Sequence, residues 1–372
     1  MKKPFLFTLA IFIAATSFAQ IDKKATKETR NLYNNLKALQ KQGVMFGHQD
    51  GLAYGLNPDG TRWVGQKDRS DVKTVSGEYP AVLGWDLGKI EFDSSRNLDK
   101  VPFAQMRQYI VDTYNRGGVN TISWHLNNPT APKKTSWDKV DSTIRHTFYT
   151  PENLKRYESW LDKVANFLKS LKTKNGVLVP VIFRPYHEHT GSWFWWGADH
   201  CTPEEYKKMW HFTVDYLINK KDVHNILIAY STDRFNSKEH YLERYPGNNY
   251  VDLVGFDLYH RNAPASNEQF KKDFQRMVNT LEEIAIENDK ICAVTEMGLE
   301  QLTEANWWTN IVLPVVQDTR LSYFLVWRNG YDRHYYAPYE GQKSVPDFLK
   351  MLQSGKVLLE KGAEQKHLYQ KK

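Results

Sequence analysis

The chain has 372 residues, with 50 Lys and Arg against 43 Asp and Glu, a formal charge of +7, and 14% aromatic residues that include 12 Trp and 21 Tyr. The positive charge is spread along the chain apart from a small basic tail ending Lys371-Lys372, so the basic stripe interleaved with aromatics that marks a nucleic-acid partner is missing. Only two cysteines are present, Cys201 and Cys292, which excludes a disulfide framework.

The chain opens Met-Lys-Lys, runs apolar from Pro4 to Ala15 and continues Thr16-Ser17-Phe18-Ala19, the layout of an export signal with a small-x-small cleavage site. Residues 1–19 are expected to be a signal peptide and residues 20–372 the catalytic domain. Loss of Lys2 and Lys3 lowers the charge from +7 to +5. No cysteine adjoins the cleavage point to carry a lipid anchor, and no other stretch is long and apolar enough to cross a bilayer. A periplasmic or secreted monomer without a membrane anchor is expected. The basic tail reads as a solvated, frayed terminus.

No low-complexity linker or short repeat divides the rest. What recurs is a short apolar run followed by a helical pattern, the alternation of parallel βα units. The runs are Val44 to Gly47, Ala81 to Trp85, Val119 to Trp124, Val177 to Phe183, Ile226 to Tyr230, Val251 to Leu258, Ile291 to Thr295 and Tyr323 to Trp327. Helical patterns fall at 103–116, 151–172, 203–219, 270–288 and 306–319, several opened by a proline whose missing N–H is harmless in a first turn. Eight such units in one chain of this size predict an α/β fold, a single (β/α)8 TIM barrel.

Barrel chemistry sits at the C-terminal ends of the strands. Just past each run lie His48-Gln49-Asp50, Asp86, His125, His187-Glu188, Thr232-Asp233, Asp257 with Tyr259-His260, Glu296, and Arg328-Asn329. The densest segment runs from Val181 through Arg184-Pro185-Tyr186-His187-Glu188-His189 to Gly191-Ser192-Trp193-Phe194-Trp195-Trp196-Gly197. It places a carboxylic acid beside a glycine-punctuated loop with three tryptophans. Sugar rings need flat apolar partners for their C–H faces and fixed polar partners for their hydroxyls, and this loop offers both. Glu296 closes the seventh run, so it and Glu188 point into one cleft from opposite sides, the pairing that glycoside cleavage uses. By strand alternation Arg184 shares a face with Glu188, either beneath the carboxylates or in a plain core ion pair. The same alternation places Cys292 on the face of Glu296, roughly 13 Å below it at about 3.3 Å per residue, too far from the Cys201 loop for a disulfide.

The segment from Arg184 to Gly197, with Thr295-Glu296-Met297-Gly298, resembles glycoside hydrolase family 26 of the β-mannanase type, and the similarity extends from about Gly43 to Asn329. The resemblance implies a retaining, endo-acting β-1,4-mannanase that hydrolyses mannan, galactomannan or glucomannan by double displacement, with Glu188 as acid/base and Glu296 as nucleophile. It also implies that His187 contacts the 2-hydroxyl of the sugar being cleaved, that Trp327 floors that sugar, and that His125, Trp193 and Arg328 line nearby subsites. Tyr259, beside strand seven, is placed to hydrogen-bond Glu296. Trp307 and Trp308 read as packing residues. The loops 132–148 and 262–268 match no pattern of the family, and they shape the subsites.

Three alternatives stand beside this reading: a mixed-linkage β-glucanase, a xylanase, and a glycan-binding protein without catalysis. Both carboxylates are present, which gives the last no support. His187-Glu188-His189 is not the zinc pattern of two histidines four apart on a helix, and no nucleotide, flavin or phosphate motif occurs. Neither metal nor cofactor is expected.

Overall fold

The computed structural model describes residues 20–131 and 135–371. The expected signal segment, 1–19, lies outside the described residues, as do Pro132, Lys133, Lys134 and Lys372. Eight parallel strands form the barrel: β1 (Val44–Gln49), β2 (Val82–Asp86), β3 (Val119–Trp124), β4 (Val181–Pro185), β5 (Ile226–Thr232), β6 (Leu253–His260), β7 (Ile291–Leu299) and β8 (Leu321–Val326). Each pairs with the next, and β8 returns to β1 with Phe46 opposite Phe324, closing the ring.

Alternation along each strand fills two layers. Met45, Val119, Ile182, Leu227, Leu253, Ile291, Ala293, Tyr323 and Leu325 point to the barrel axis. Phe46, Trp85, Ile122, Phe183, Ile228, Phe256, Val294 and Phe324 point outward under the helices. All are buried, as expected for parallel strands covered on both faces. The helices include α2 (Phe103–Asn115), α3 (Pro151–Ser170), α4 (Pro203–Asp215) and α5 (Asn267–Asn288). Pro203 opens α4 inside a capping box, in which Thr202 accepts from the Glu205 N–H while the Glu205 carboxylate accepts from the Thr202 N–H. Among the described residues no helix is long and apolar enough to cross a membrane.

Three expectations change. The helix predicted over 306–319 is a wider π-type turn, Trp308–Val312, running into the single turn Leu313–Val316. Pro314 has no N–H to return to Asn310, so a regular ladder is interrupted there. A helix unmarked in the sequence, α1 (Lys27–Ala38), starts at Thr26, whose side chain accepts from Thr29 N, and caps the lower mouth of the barrel with Leu32, Tyr33 and Leu36. The segment before the basic tail docks on it. Asn35 Nδ2 donates to Leu368 O (2.9 Å) and Gln370 O (2.8 Å), and Tyr369 Oη donates to Gly118 O (2.7 Å). With the lower mouth closed, the opening lies at the strand C-termini.

The third change bears on the site. Between β6 and β7 the register runs Phe256 to Val294 and then Asp257 to Glu296, leaving Thr295 without a partner. The β7–β8 register shows the same extra residue, Phe324 opposite Val294 and Val326 opposite Met297. This is a β-bulge, and one inserted residue reverses which face later side chains take. Cys292 and Val294 therefore point outward while Glu296 points inward. Cys292 does not share a face with Glu296 as alternation alone suggested. Both cysteines are nonetheless free and buried, Cys292 donating to Arg320 O.

Candidate active site

A cleft of about 460 Å³ opens at the strand C-termini, lined among others by His125, His187, Glu188, Trp193, Tyr259, Glu296 and Trp327. Seven of the eight residues expected from sequence therefore meet in one space. Arg328 is the exception. Its guanidinium pairs with Asp99, Nε to Oδ1 3.1 Å, and it is not among the lining residues. The reason is local. Trp327 points to the axis, so the next side chain turns away toward the segment before α2.

Glu188 reaches the cleft through strained backbone. β4 ends at Pro185, and both Tyr186 (φ 50°) and Glu188 (φ 55°) adopt the left-handed conformation that costs non-glycine residues about 1–3 kcal/mol. Tyr186 turns outward against Trp195, Trp196, Tyr206 and Trp210. That reversal lets the successive residues His187 and Glu188 both face the cleft, which a continuing strand forbids. Glu188 N donates to Ser231 O on β5 (3.1 Å), which fixes the turn. The loop closes tightly afterwards: a Cβ on Gly197 would sit 2.4 Å from Gly191 O.

Of the three tryptophans in that loop only Trp193 lines the cleft, donating from Nε1 to Glu188 Oε2 (2.7 Å). Trp195 and Trp196 are wholly buried and donate to Leu126 O (3.1 Å) and His187 O (2.8 Å). They hold the loop and do not present faces to a ligand. Trp307 and Trp308 are buried packing residues, as their sequence position suggested.

The bulge carries Glu296 inward to a fixed set of partners. Tyr259 Oη donates to Glu296 Oε2 (2.9 Å), and Arg184 Nη2 donates to Oε1. Arg184 Nη1 donates to Asp257 Oδ2 (2.8 Å), and Thr295, the bulged residue, donates from Oγ1 to Asp257 Oδ1 (2.6 Å). Arg184 thus lies beneath the carboxylates, bridging Glu296 and Asp257. Burial opposes its charge, yet the two carboxylates hold the guanidinium firmly protonated. Removing it leaves two buried carboxylates without their cation, and burial already pushes that of Asp257 up to about 8. Arg184→Met is expected to destabilise the fold by about 3–5 kcal/mol at pH 7. The loss should shrink in acid as the carboxylates take up protons, which urea denaturation at two pH values checks.

Glu188 has no cation of this kind. Burial, together with the charges of Asp257, Glu296 and Asp233, pushes its carboxyl well above the ordinary glutamate value, and the Trp193 N–H pulls it only partly back. The two glutamates therefore sit in opposite surroundings, one paired with a guanidinium and a phenol, the other without a cation among acids.

His187, Asp257 and Glu296 each offer a donor atom within 4.8 Å of the others, a spacing on which a cation can be bound. Arg184 already occupies both carboxylates, so a metal ion there would meet a fixed positive charge. Sequence reasoning missed several lining residues: Trp137, Arg234, Arg261, His334 and Tyr336. All sit on loops, where no periodic pattern marks them.

A closed parallel barrel that opposes a cation-held carboxylate to a buried one set among acids has the layout of the two-carboxylate glycoside hydrolases. Comparison with known proteins narrows the class. The profile of glycosyl hydrolase family 26 matches residues 21–345, and the chain belongs to that family. A mannan endo-1,4-beta-mannosidase from Bifidobacterium adolescentis is 35% identical over 286 residues, covering 74% of this chain and 27% of that protein. The chain therefore spans about a quarter of that relative's length. Among solved structures, a GH26 β-mannanase from Bacteroides ovatus is 46% identical with a TM-score of 0.88, covering 93% of this chain and 98% of the other. A modular endo-β-1,4-mannanase from Cellulomonas fimi is 31% identical with a TM-score of 0.82, covering 92% and 78%.

Proposed function

We propose that the chain is a secreted, retaining, endo-acting β-1,4-mannanase, with Glu296 as nucleophile and Glu188 as acid/base. The observation that carries this is the opposed surroundings of the two glutamates in one cleft, Glu296 held by Arg184 and Tyr259 and Glu188 by Trp193 alone among the described residues. In the first step the Glu296 carboxylate attacks the anomeric carbon while Glu188 gives its proton to the departing oxygen. In the second step Glu188, now a base, takes a proton from water, which displaces Glu296 and leaves the sugar in its original configuration. Retention requires the carboxylates about 5–5.5 Å apart. Tyr259 and Arg184 hold both oxygens of Glu296 and aim it. His187 contacts the 2-hydroxyl of the sugar undergoing cleavage, Trp327 floors that sugar, and Trp193 and His125 flank it.

Mannan is the proposed substrate, supported by what the similar proteins are named for, and galactomannan and glucomannan are proposed beside it. The export-type start supports a periplasmic or extracellular place of action. Hydrolysis of linear β-1,4-mannan, mixed-linkage glucan and xylan, with a Glu188→Ala/Glu296→Ala double variant as control, tests the substrate. Release of oligosaccharides from mannan alone fits the proposal. Cleavage of glucan or xylan with mannan intact overturns it.

Trp193 tunes the acid. Its N–H stabilises the Glu188 anion, so Trp193→Phe should raise the Glu188 pKa further. Because Glu188 must enter the reaction protonated, the alkaline limb of the kcat/KM profile should move to higher pH. A limb that stays put or moves down contradicts the assignment.

A further inference from the structure

The cleft is lined unevenly. On the β3 side stand rings: Trp137 lies over His125 (centroids 5.6 Å, planes 22° apart), Phe194 packs against His125 (5.3 Å) and Trp137 (5.5 Å), and Trp327 reaches His125 (6.2 Å). On the β5 and β6 side the lining includes Asp233, Arg234 and Arg261, which follow the ends of those two strands.

Asp233 is half-buried, and among the described residues no side chain donates to its carboxylate and no cation pairs with it. The two arginines near it are engaged elsewhere. Arg234 sends Nη1 to Asp273 Oδ2 (3.5 Å) and Nη2 to Tyr259 O (3.2 Å), while Arg261 lies over the Tyr259 ring (5.2 Å) and sends Nη1 to Glu300 Oε2 (3.9 Å). Asp233 is thus an acceptor left open to the cleft. A carboxylate in that state takes charge-assisted hydrogen bonds from hydroxyl groups, which are shorter and stronger than neutral ones.

The order of the strands says which sugar it meets. Glu188 gives its proton to the departing oxygen, so the leaving sugar joins the cleaved one beside Glu188. His125 reaches both His187 (4.5 Å) and Trp327 (6.2 Å), so the groups proposed to surround the cleaved sugar gather on the β3 and β8 side of Glu188. The leaving sugar extends the other way, over β5. There the strand is tied to the acid, since Glu188 N donates to Ser231 O (3.1 Å), close before Asp233 in the chain.

We propose that Asp233 is a specificity-determining residue: it accepts hydrogen bonds from the hydroxyls of the leaving sugar, and from those of any sugar that takes its place as an acceptor. The inference rests on the proposed glycosidase reading. The charge of Asp233 also acts on Glu188 through space, and the experiment separates the two effects.

The test uses the full chain trapped as the 2-deoxy-2-fluoromannosyl ester of Glu296, formed from the glycosyl fluoride. Water releases the sugar slowly. β-1,4-Mannobiose releases it by transfer: its 4-hydroxyl oxygen bonds to the anomeric carbon, the bond to the Glu296 carboxylate breaks, and Glu188 takes the hydroxyl proton. Both routes use Glu188 as base, and only the second fills the leaving-sugar position. The recovery rate of the unaltered protein should saturate with mannobiose. In Asp233→Ala the half-saturating concentration should rise about 10- to 100-fold, the scale of a hydrogen bond to a charged group, with recovery in water little changed. An unchanged half-saturation overturns the inference. Recovery in water that falls as far as recovery with mannobiose also overturns it, because the residue then acts on Glu188 and not on the sugar. If Asp233→Ala does not fold by circular dichroism, Asp233→Asn, which keeps the shape and loses the charge, is read in the same way. An unaltered protein that takes no fluorosugar on Glu296 contradicts the glycosidase reading. One that is trapped and recovers with mannobiose, while the variant matches it, contradicts this inference alone.

Discussion

Glu296→Ala is expected to lower kcat on β-1,4-mannan on the order of 10⁵-fold or more, the scale on which removal of a covalent nucleophile acts. The expectation follows from how much of the site serves this one carboxylate. The bulge at Thr295 turns it to the axis, Arg184 and Tyr259 engage both its oxygens, and Asp257 shares the guanidinium. None of these groups can replace it. Asp257 is held off by Arg184 and Thr295, and the Tyr259 phenol, buried against Glu296 and Glu188, is pushed well above its ordinary value and stays protonated. A small anion such as azide should restore turnover by entering the space that the side chain vacates, giving a glycosyl azide of inverted configuration. Steady-state kinetics and product NMR check both points. Activity within about tenfold of the parent would remove Glu296 from the reaction.

Glu188→Ala should cost about 10²- to 10⁴-fold on mannan, the range for a general acid/base, and the size should depend on the leaving group. An aryl mannoside with an acidic phenol departs without help, so its first step should survive the substitution while the second slows, and a burst of phenol should appear. Azide, which needs no base, should relieve that second step and yield a product of retained configuration. Mannan, whose leaving group is a poor one, should show the full loss. An equal loss on both substrates would contradict an acid/base role and point to a structural one.

The positions of the eight strands were legible because parallel strands covered on both faces are continuous apolar runs, and a run such as Ile226 to Tyr230 admits little else. Glu188 was legible for the same reason, since Arg184-Pro185-Tyr186-His187-Glu188 ends one of those runs. What alternation could not show was how the side chains are aimed. Glu296 faces inward only because Thr295 is extra, and His187 and Glu188 face the cleft together only because Tyr186 and Glu188 take left-handed backbone. Neither event leaves a mark in composition or period. Misplacing Cys292 on the inner face follows from the same blindness. Arg328 was assigned to a nearby subsite by the family resemblance, and no local pattern marks the partner its guanidinium takes, Asp99, 229 positions earlier. The rim residues Arg261, His334 and Tyr336 lie on loops where only the folded chain brings them together. Helix α1 went unseen because its buried face mixes Leu32 and Leu36 with Asn31 and Asn35, whose amides serve the distant segment 368–370.

The central claim is that Glu296 forms a covalent bond to the sugar while Glu188 handles the proton. A 2-deoxy-2-fluoro-β-mannosyl fluoride tests it most directly, because the fluorine at carbon 2 destabilises the charged transition states of both steps and the good leaving group restores only the first. Peptide mapping by mass spectrometry after incubation should find one fluorosugar on the peptide that contains Glu296. An adduct on another residue, or inactivation of the enzyme without any adduct, would contradict the account.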